Sequence, residues 1–188
     1  MFRRRLRPLP TPEELAKIYA KPHDHYRYGY GHYLRVEHTI TLGKWMVQDF
    51  RLKSGADLSC GNGAILKALP LLGIKVFGDF APGFQLKGPI EETIGQIHPV
   101  DLYIFSETAE HLDDPDGVLK KIRGKANYLL MSTPIGEDDL GNPEHLWGWD
   151  QEAVAQMLNS ARWDVKARVD LFTPNHGYNY QIYACKGV

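Results

Sequence analysis

Residues 56–63, Ala-Asp-Leu-Ser-Cys-Gly-Asn-Gly, constrain this chain more than any other stretch. Asp57 and Leu58 close an apolar-alternating segment that reads as a strand. Gly61 and Gly63 allow backbone dihedrals that side chains forbid, and Ala64 to Leu72 reads as an apolar-rich helix. A strand that turns on glycines into a helix sets the free N–H groups of the helix start beside whatever approaches the turn. Open α/β sheets meet nucleotide-like molecules in this way. A phosphate-binding G-x-G-x-x-G turn would place glycine at 66, where Leu66 stands, and no Lys-Ser/Thr pair follows Gly63. The missing third glycine argues against a dinucleotide, and an ordinary two-glycine turn is the plain alternative.

A second strand is expected at Ile74 to Gly78, after Gly73 stops the helix, and it ends in Asp79. An acidic side chain there, about 20 residues from the glycine turn, can accept hydrogen bonds from both hydroxyls of a ribose. Phe80 beside it can pack on an adenine ring or enter the core. Only Phe84 to His98, broken by Gly88, Pro89 and Pro99, separates Asp79 from the apolar strand Asp101 to Phe105, so one helix-and-strand unit is abbreviated.

Directly after that strand comes Ser106-Glu107-Thr108-Ala109-Glu110-His111. If residue 107 starts a turn or helix, Glu107, Glu110 and His111 share one face by i, i+3 and i+4 geometry. Two carboxylates with an imidazole suit Mg or Mn, and no cysteine lies nearby in sequence for a zinc-thiolate site. An imidazole there can instead act as general base, or cap a helix while the glutamates stay solvated. The strand Tyr128 to Ser132 leads through a loop to Asn142-Pro-Glu-His-Leu-Trp-Gly-Trp-Asp150, which adds His145, Trp147 and Trp149.

The pattern Asp57-x-x-x-Gly61-x-Gly63 resembles the first motif of class I S-adenosylmethionine-dependent methyltransferases, Asp/Glu-x-Gly-x-Gly-x-Gly, with Ser59 in place of the first glycine. The Ser106 to His111 and Asn142 to Asp150 stretches resemble segments of two groups, the ubiquinone-pathway O-methyltransferases and the small-RNA 3′-terminal 2′-O-methyltransferases. The resemblance covers roughly residues 32 to 185. It implies a Rossmann-like α/β fold, a seven-stranded, mostly parallel sheet with an antiparallel last strand and helices on both faces, and S-adenosylmethionine as cofactor. It implies Arg35 at the methionine carboxylate and Asp57, Ser59, Gly61, Gly63 and Ser106 around the cofactor. Asp79 and Phe80 would take the nucleoside, and Ile90 and Glu91 the adenine edge.

In metal-using members of these groups the glutamates and histidine are ligands, so the resemblance implies a metal set of Glu107, Glu110, His111 and His145. Many metal-free relatives keep a glutamate-histidine pair that only shapes the cofactor pocket. A metal would hold two adjacent substrate oxygens and lower the pKa of one; without it, His111 or His145 would take the hydroxyl proton. No Asn/Asp-Pro-Pro-Tyr/Phe or Pro-Cys follows the fourth strand, which leaves O-methylation of a small hydroxylated molecule as the expected reaction. The alternatives are a 2′-O-methyltransferase acting on RNA, with Arg3, Arg4, Arg5 and Arg7 on phosphates and tyrosines under bases, and a non-catalytic S-adenosylmethionine-binding partner protein.

The 188 residues fit one domain, with residues 1–47 as N-terminal helix and lid. A net charge of −1 offers no general attraction to nucleic acid or anionic membrane. Cys60 and Cys185 read as reduced thiols, no signal-peptide core or membrane span is visible, and a cytoplasmic location is expected. The Arg3 to Arg7 run reads as a solvated, mobile terminus. Thr11, Pro12 and Glu14 mark the start of a helix running to about Ala20, which Pro22 stops. Residues 23–38, with His23, His25, Tyr26, Tyr28, Tyr30, His32, Tyr33, Arg35 and His38, suit a loop over a ligand or an aromatic connector on the sheet. His32 to Val47 also fits a helix, the last helix starts at the N-cap Asp150, and Trp163 to Phe172 and Tyr178 to Cys185 form a hairpin across Thr173 to Gly177. The sequence carries no signal of oligomeric state.

Overall fold

The structure, a computed structural model, describes residues 1–24, 29–137, 142–173 and 179–188. His25, Tyr26 and Tyr28 of the expected lid, and Pro174, Asn175, Gly177 and Tyr178 of the expected hairpin turn, lie outside the described residues. Two clusters of alternating apolar residues dictate the layers. Tyr103, Phe105, Leu129, Met131, Tyr183 and Cys185 face one side of the sheet, and Leu102, Ile104, Leu130, Ile182 and Ala184 face the other. Both faces are apolar, so both must be covered.

The sheet contains β2 (Ser54–Asp57), β3 (Ile74–Asp79), β4 (Leu86–Lys87), β5 (Val100–Ser106), β6 (Ala126–Ile135), β8 (Trp163–Leu171) and β9 (Asn179–Gly187), in the order β4-β3-β2-β5-β6-β9-β8. The pairs from β4 to β6 are parallel, and β9 runs antiparallel to both neighbours. Helix α2 (Tyr30–Asp49) and the one-turn α3 (Ala64–Lys67) cover one face; α4 (Ile90–Thr93), α5 (Pro115–Arg123) and α6 (Gln151–Ser160) cover the other. α6 begins where Asp150 accepts from the Ala153 N–H. This is the Rossmann-like seven-stranded architecture expected from the glycine turn.

Several local expectations are corrected. Ala64 to Leu72 keeps only one helical turn, because Pro70 and Gly73 stop propagation before the helix lengthens. α2 begins at Tyr30, two residues before the helix expected from His32, so His32, Tyr33, Arg35 and His38 lie on that helix and the loop reading of residues 23–38 does not extend to them. Residues 107–111 form no α-helix: Glu107 has φ 50° and a single 3-10 turn covers Ala109–His111.

The arginine run is not a free terminus. Arg3–Arg5 forms β1, antiparallel to β7 (Trp147–Trp149), with Arg5 opposite Trp147 and Arg3 opposite Trp149. Arg3 pairs with Asp116 and Arg5 with Asp113, and both guanidinium groups lie over the Trp147 ring, 4.9 and 5.3 Å from its centroid. From this ribbon the chain enters α1 (Pro12–Ile18), whose capping box of Thr11 and Glu14 satisfies both ends of the motif. No helix is long and apolar enough to cross a membrane among the described residues.

Candidate functional site

The carboxyl ends of β2, β3 and β5 open into one cavity of about 670 Å³. That falls in the range, roughly 300–1,000 Å³, of small-molecule sites. Its nucleoside-type end is built by the glycine turn. Gly61 has φ 54° and Gly63 φ 75°, the latter as the left-handed N-cap of α3. Asp79, only 6% exposed, accepts from the Gly61 N–H at 2.7 Å and the Ala81 N–H at 2.8 Å. Burial raises its carboxyl above the ordinary range while those amides oppose the shift. Ser59 accepts from the Thr108 hydroxyl at 2.7 Å, tying the turn to the loop after β5. Burial also pushes Asp57 up to about 8; the Ser59 amide opposes the shift and the charge of Asp79 adds to it.

Ser59, Gly61, Asp79, Phe80, Ile90 and Glu91 line this cavity. Arg35, Asp57, Gly63 and Ser106 stand behind that wall. Arg35 is fully buried and donates to Ser106 Oγ at 2.6 Å, so it is no surface residue. It also lies 3.9 Å from Glu107, whose Oε1 accepts from Ser132 at 2.9 Å.

His111 and His145 also line the cavity, and the buried Glu110 joins them, with one ligand atom of each of the three within 4.8 Å of the others. The left-handed backbone at Glu107 turns that carboxylate toward Arg35 and Ser132, apart from this cluster. Such a conformation costs about 1–2 kcal/mol at a non-glycine residue. Glu110 is fully buried; its Oε2 accepts from Thr133 at 3.1 Å, and its Oε1 meets no donor among the described residues. Burial, with the Glu107 charge adding, holds its carboxyl well above the ordinary range.

Both imidazoles are fixed through Nδ1. His111 Nδ1 donates to the Glu144 carbonyl at 3.1 Å and lies 3.4 Å from the Tyr19 hydroxyl. His145 Nδ1 donates to the Glu137 carboxylate, and its Nε2 accepts from Asn142 Nδ2 at 3.2 Å. The rings meet edge-on, centroids 4.7 Å apart. Burial pushes His145 down to about 3, with the charge of Arg7 adding. His111 is held well below its ordinary value by burial and by His145. Both are therefore neutral; the Nε2 lone pair of His145 is the one that accepts from Asn142, so a ligand there would have to displace that amide.

The roof comes from the N-terminal segment. Leu9, Pro12, Leu15, Tyr19 and His23 line the cavity, and the Tyr19 ring lies 5.3 Å from Phe80. Glu137, Asn142, Ser132 and Tyr19 are partners that sequence reasoning did not single out. Glu137 is a loop acid eight residues from its histidine, and nothing in residue type or spacing marks it.

No family model matches the chain, and no curated protein matches it in sequence. Solved structures do match in fold. The chain is similar to the N-methyltransferase NodS from Bradyrhizobium japonicum WM9, in complex with S-adenosylhomocysteine, with a TM-score of 0.68 and 14% identity over 93% of this chain and 97% of that one. It is similar to a 1,6-didemethyltoxoflavin N1-methyltransferase from Burkholderia thailandensis, with its substrate and S-adenosylhomocysteine bound, at a TM-score of 0.67 and 14% identity over 97% and 92%. Magnesium protoporphyrin IX methyltransferase from Synechocystis PCC 6803 gives 0.64 and 12%, over 93% of each chain. The fold is the Rossmann-like class I methyltransferase fold.

Proposed function

We propose that this chain is an S-adenosylmethionine-dependent methyltransferase that methylates a hydroxyl of a small molecule held beside a divalent cation. The observation that carries the reading is one cavity lined by a ribose-type acceptor, Asp79, and by two imidazoles, His111 and His145, that the buried Glu110 joins in a cluster. Structural neighbours with S-adenosylhomocysteine bound support the cofactor.

The donor set fits a cation. Glu110 Oε1 is a buried oxygen with no partner among the described residues, and each histidine has its Nδ1–H committed to a carbonyl or carboxylate, the support that metal-ligating imidazoles characteristically receive. Glu110, His111 and His145 would hold it. With Glu107 drawn to Arg35, one carboxylate and two imidazoles favour Mn or Zn over Mg. Such a cation lowers the pKa of an acceptor hydroxyl. A neutral imidazole is a good ligand, whereas one whose conjugate acid loses its proton near pH 3 is a poor general base at neutral pH.

The chain's own residues orient the two reactants. Asp79 would accept from the ribose hydroxyls, Phe80 would pack on the adenine, and Tyr19 roofs the space between them and His111. Methyl transfer in line would form the oxygen–carbon bond as the sulfur–carbon bond breaks, leaving S-adenosylhomocysteine and releasing the hydroxyl proton to solvent water. The RNA reading is disfavoured because Arg3 and Arg5 are engaged by Asp116, Asp113 and Trp147.

Calorimetry with S-adenosylhomocysteine, repeated with EDTA, with Mn or Mg, and with catechol and oligoribonucleotide probes, tests this reading. Nucleoside binding, followed by catechol binding that requires metal, is the expected result. No nucleoside binding would remove the methyltransferase assignment, and metal-independent catechol binding would remove the cation.

A further inference from the structure

A line of contacts runs along one wall of the cavity, from Asp79 to Glu107. Asp79 accepts from the Gly61 N–H at 2.7 Å, and Ser59 lies two residues before Gly61 in the same turn. The Thr108 hydroxyl donates to Ser59 Oγ at 2.7 Å, and Glu107 directly precedes Thr108. Asp79, Gly61, Ser59, Thr108 and Glu107 all line the cavity.

Glu107 is held there against the preference of its own backbone. Its φ of 50° is left-handed, a conformation that glycine adopts freely and other residues only at a cost. Ser132 maintains it: the Ser132 carbonyl accepts from the Glu107 N–H at 2.9 Å, and the Ser132 hydroxyl donates to Glu107 Oε1 at 2.9 Å. The side chain is only 8% exposed, yet its Oε2 makes no hydrogen bond among the described residues and is not shut off from solvent. A strained residue that holds an open, nearly buried acceptor at a cavity wall is built to face a ligand. Arg35, which the resemblance sets at the methionine carboxylate, is fully buried and does not line the cavity. It donates to Ser106 Oγ at 2.6 Å, and its Nε lies 3.9 Å from Glu107 Oε1, beyond hydrogen-bond reach. The charged group that reaches the cavity here is the carboxylate.

We infer that Glu107, and not Arg35, is the charged residue that binds the amino-acid tail of the cofactor, by accepting from its ammonium. The inference rests on the methyltransferase reading and assigns a donor contact within it. With the ribose on Asp79, the 5′ substituent would run along Ser59 and Thr108 and bring the ammonium to the open Oε2. Charge-assisted hydrogen bonds of this kind are about twice as strong as neutral ones.

The test titrates the full chain calorimetrically, in EDTA so that no cation competes for the carboxylate. The probes are 5′-methylthioadenosine, S-adenosylhomocysteine, its deaminated analogue, which keeps the carboxylate, and its decarboxylated analogue, which keeps the amine. Removing the amine is expected to weaken binding to the wild type about tenfold or more, and removing the carboxylate to weaken it less. Glu107→Gln should weaken S-adenosylhomocysteine and the decarboxylated analogue about tenfold, and leave methylthioadenosine and the deaminated analogue unchanged. Glu107→Gly, which suits the left-handed backbone, should give the same pattern, and unchanged methylthioadenosine binding shows that the fold survives. Methylthioadenosine binding with no preference for the amine, a greater loss from the missing carboxylate, or an amine preference that survives both variants would overturn this inference alone. If no probe binds, the methyltransferase reading falls and this inference with it.

Discussion

The Glu137 carboxylate sits on Nδ1 of His145 and fixes that ring as the tautomer whose Nε2 carries the lone pair. The two are buried, 4% and 6% exposed at the side chain, so each needs the other: an unpaired carboxylate or imidazole N–H at this depth would be costly. The ring so held faces His111 edge-on.

Replacing Glu137 with Ala is expected to weaken Mn binding roughly 10- to 100-fold, as loss of an outer partner does in metal sites. S-adenosylhomocysteine affinity should stay unchanged, because Glu137 meets His145 and not the glycine turn. Calorimetric titration with Mn checks this, and unaltered Mn affinity would leave Glu137 as packing alone.

Asp79→Asn removes the charge that holds the Gly61 and Ala81 amides and would meet the ribose. Hydrogen bonds to a charged group are worth about 1.5–3 kcal/mol, so S-adenosylhomocysteine should bind roughly 10- to 150-fold more weakly. Mn affinity should not move. Equal nucleoside affinity would take Asp79 out of the site.

Gly148 couples the ribbon to the histidines. A methyl group added there falls on the Glu137 carbonyl and 3.4 Å from Leu6. Gly148→Ala should lower stability by about 1–3 kcal/mol, the usual cost of overpacking, and weaken Mn binding with it. Gly95→Ala, with nothing within 4 Å of the new atom, is the control and should be close to neutral. Urea midpoints that match for the two variants would contradict the contact.

Asp57 gives a pH dependence whose sign is fixed. Its carboxyl is raised from 3.8 to about 8, so between those values the folded chain holds a proton that the unfolded chain has lost. Its stabilising contribution is complete below pH 3.8 and is lost as pH rises toward 8. Between pH 5 and pH 8 the wild type should lose on the order of 1–3 kcal/mol more stability than Asp57→Asn. A pH-independent difference between the two urea midpoints would refute the shift.

The two depressed histidines predict a flat acid limb. With His145 neutral down to about 3 and His111 also depressed, kcat/KM should show no break near the ordinary imidazole value of about 6.5. A bell-shaped profile with an acid limb near that value, lost in His145→Ala, would reinstate the histidine as general base.

The glycine-turn wall of the cavity was legible because its geometry is local. A glycine turn, an acid at the end of the next strand and an aromatic beside it are set by chain neighbours and strand length, and all three reach one cavity wall. The glutamate-histidine run was legible in part. Its spacing allowed a turn or helix from Glu107, and a turn does bring Glu110 beside His111, but Arg35, some seventy residues upstream, and Ser132 hold the Glu107 carboxylate over a left-handed backbone. The mobile terminus failed for a similar reason, since four arginines look solvated until a tryptophan strand from the far end of the chain lies beside them.

By itself the sequence determined the layers of this protein and the nucleoside-type turn, because apolar alternation and glycine conformational freedom act over a few residues. Only the tertiary structure decided which groups around the histidines are engaged. Glu137 on His145, Arg35 on Ser106 and Arg3 on Asp116 join residues whose sequence separation carries no signal. Burial then settles their protonation: desolvation depends on what the whole fold packs around a group, not on the residues beside it in the chain.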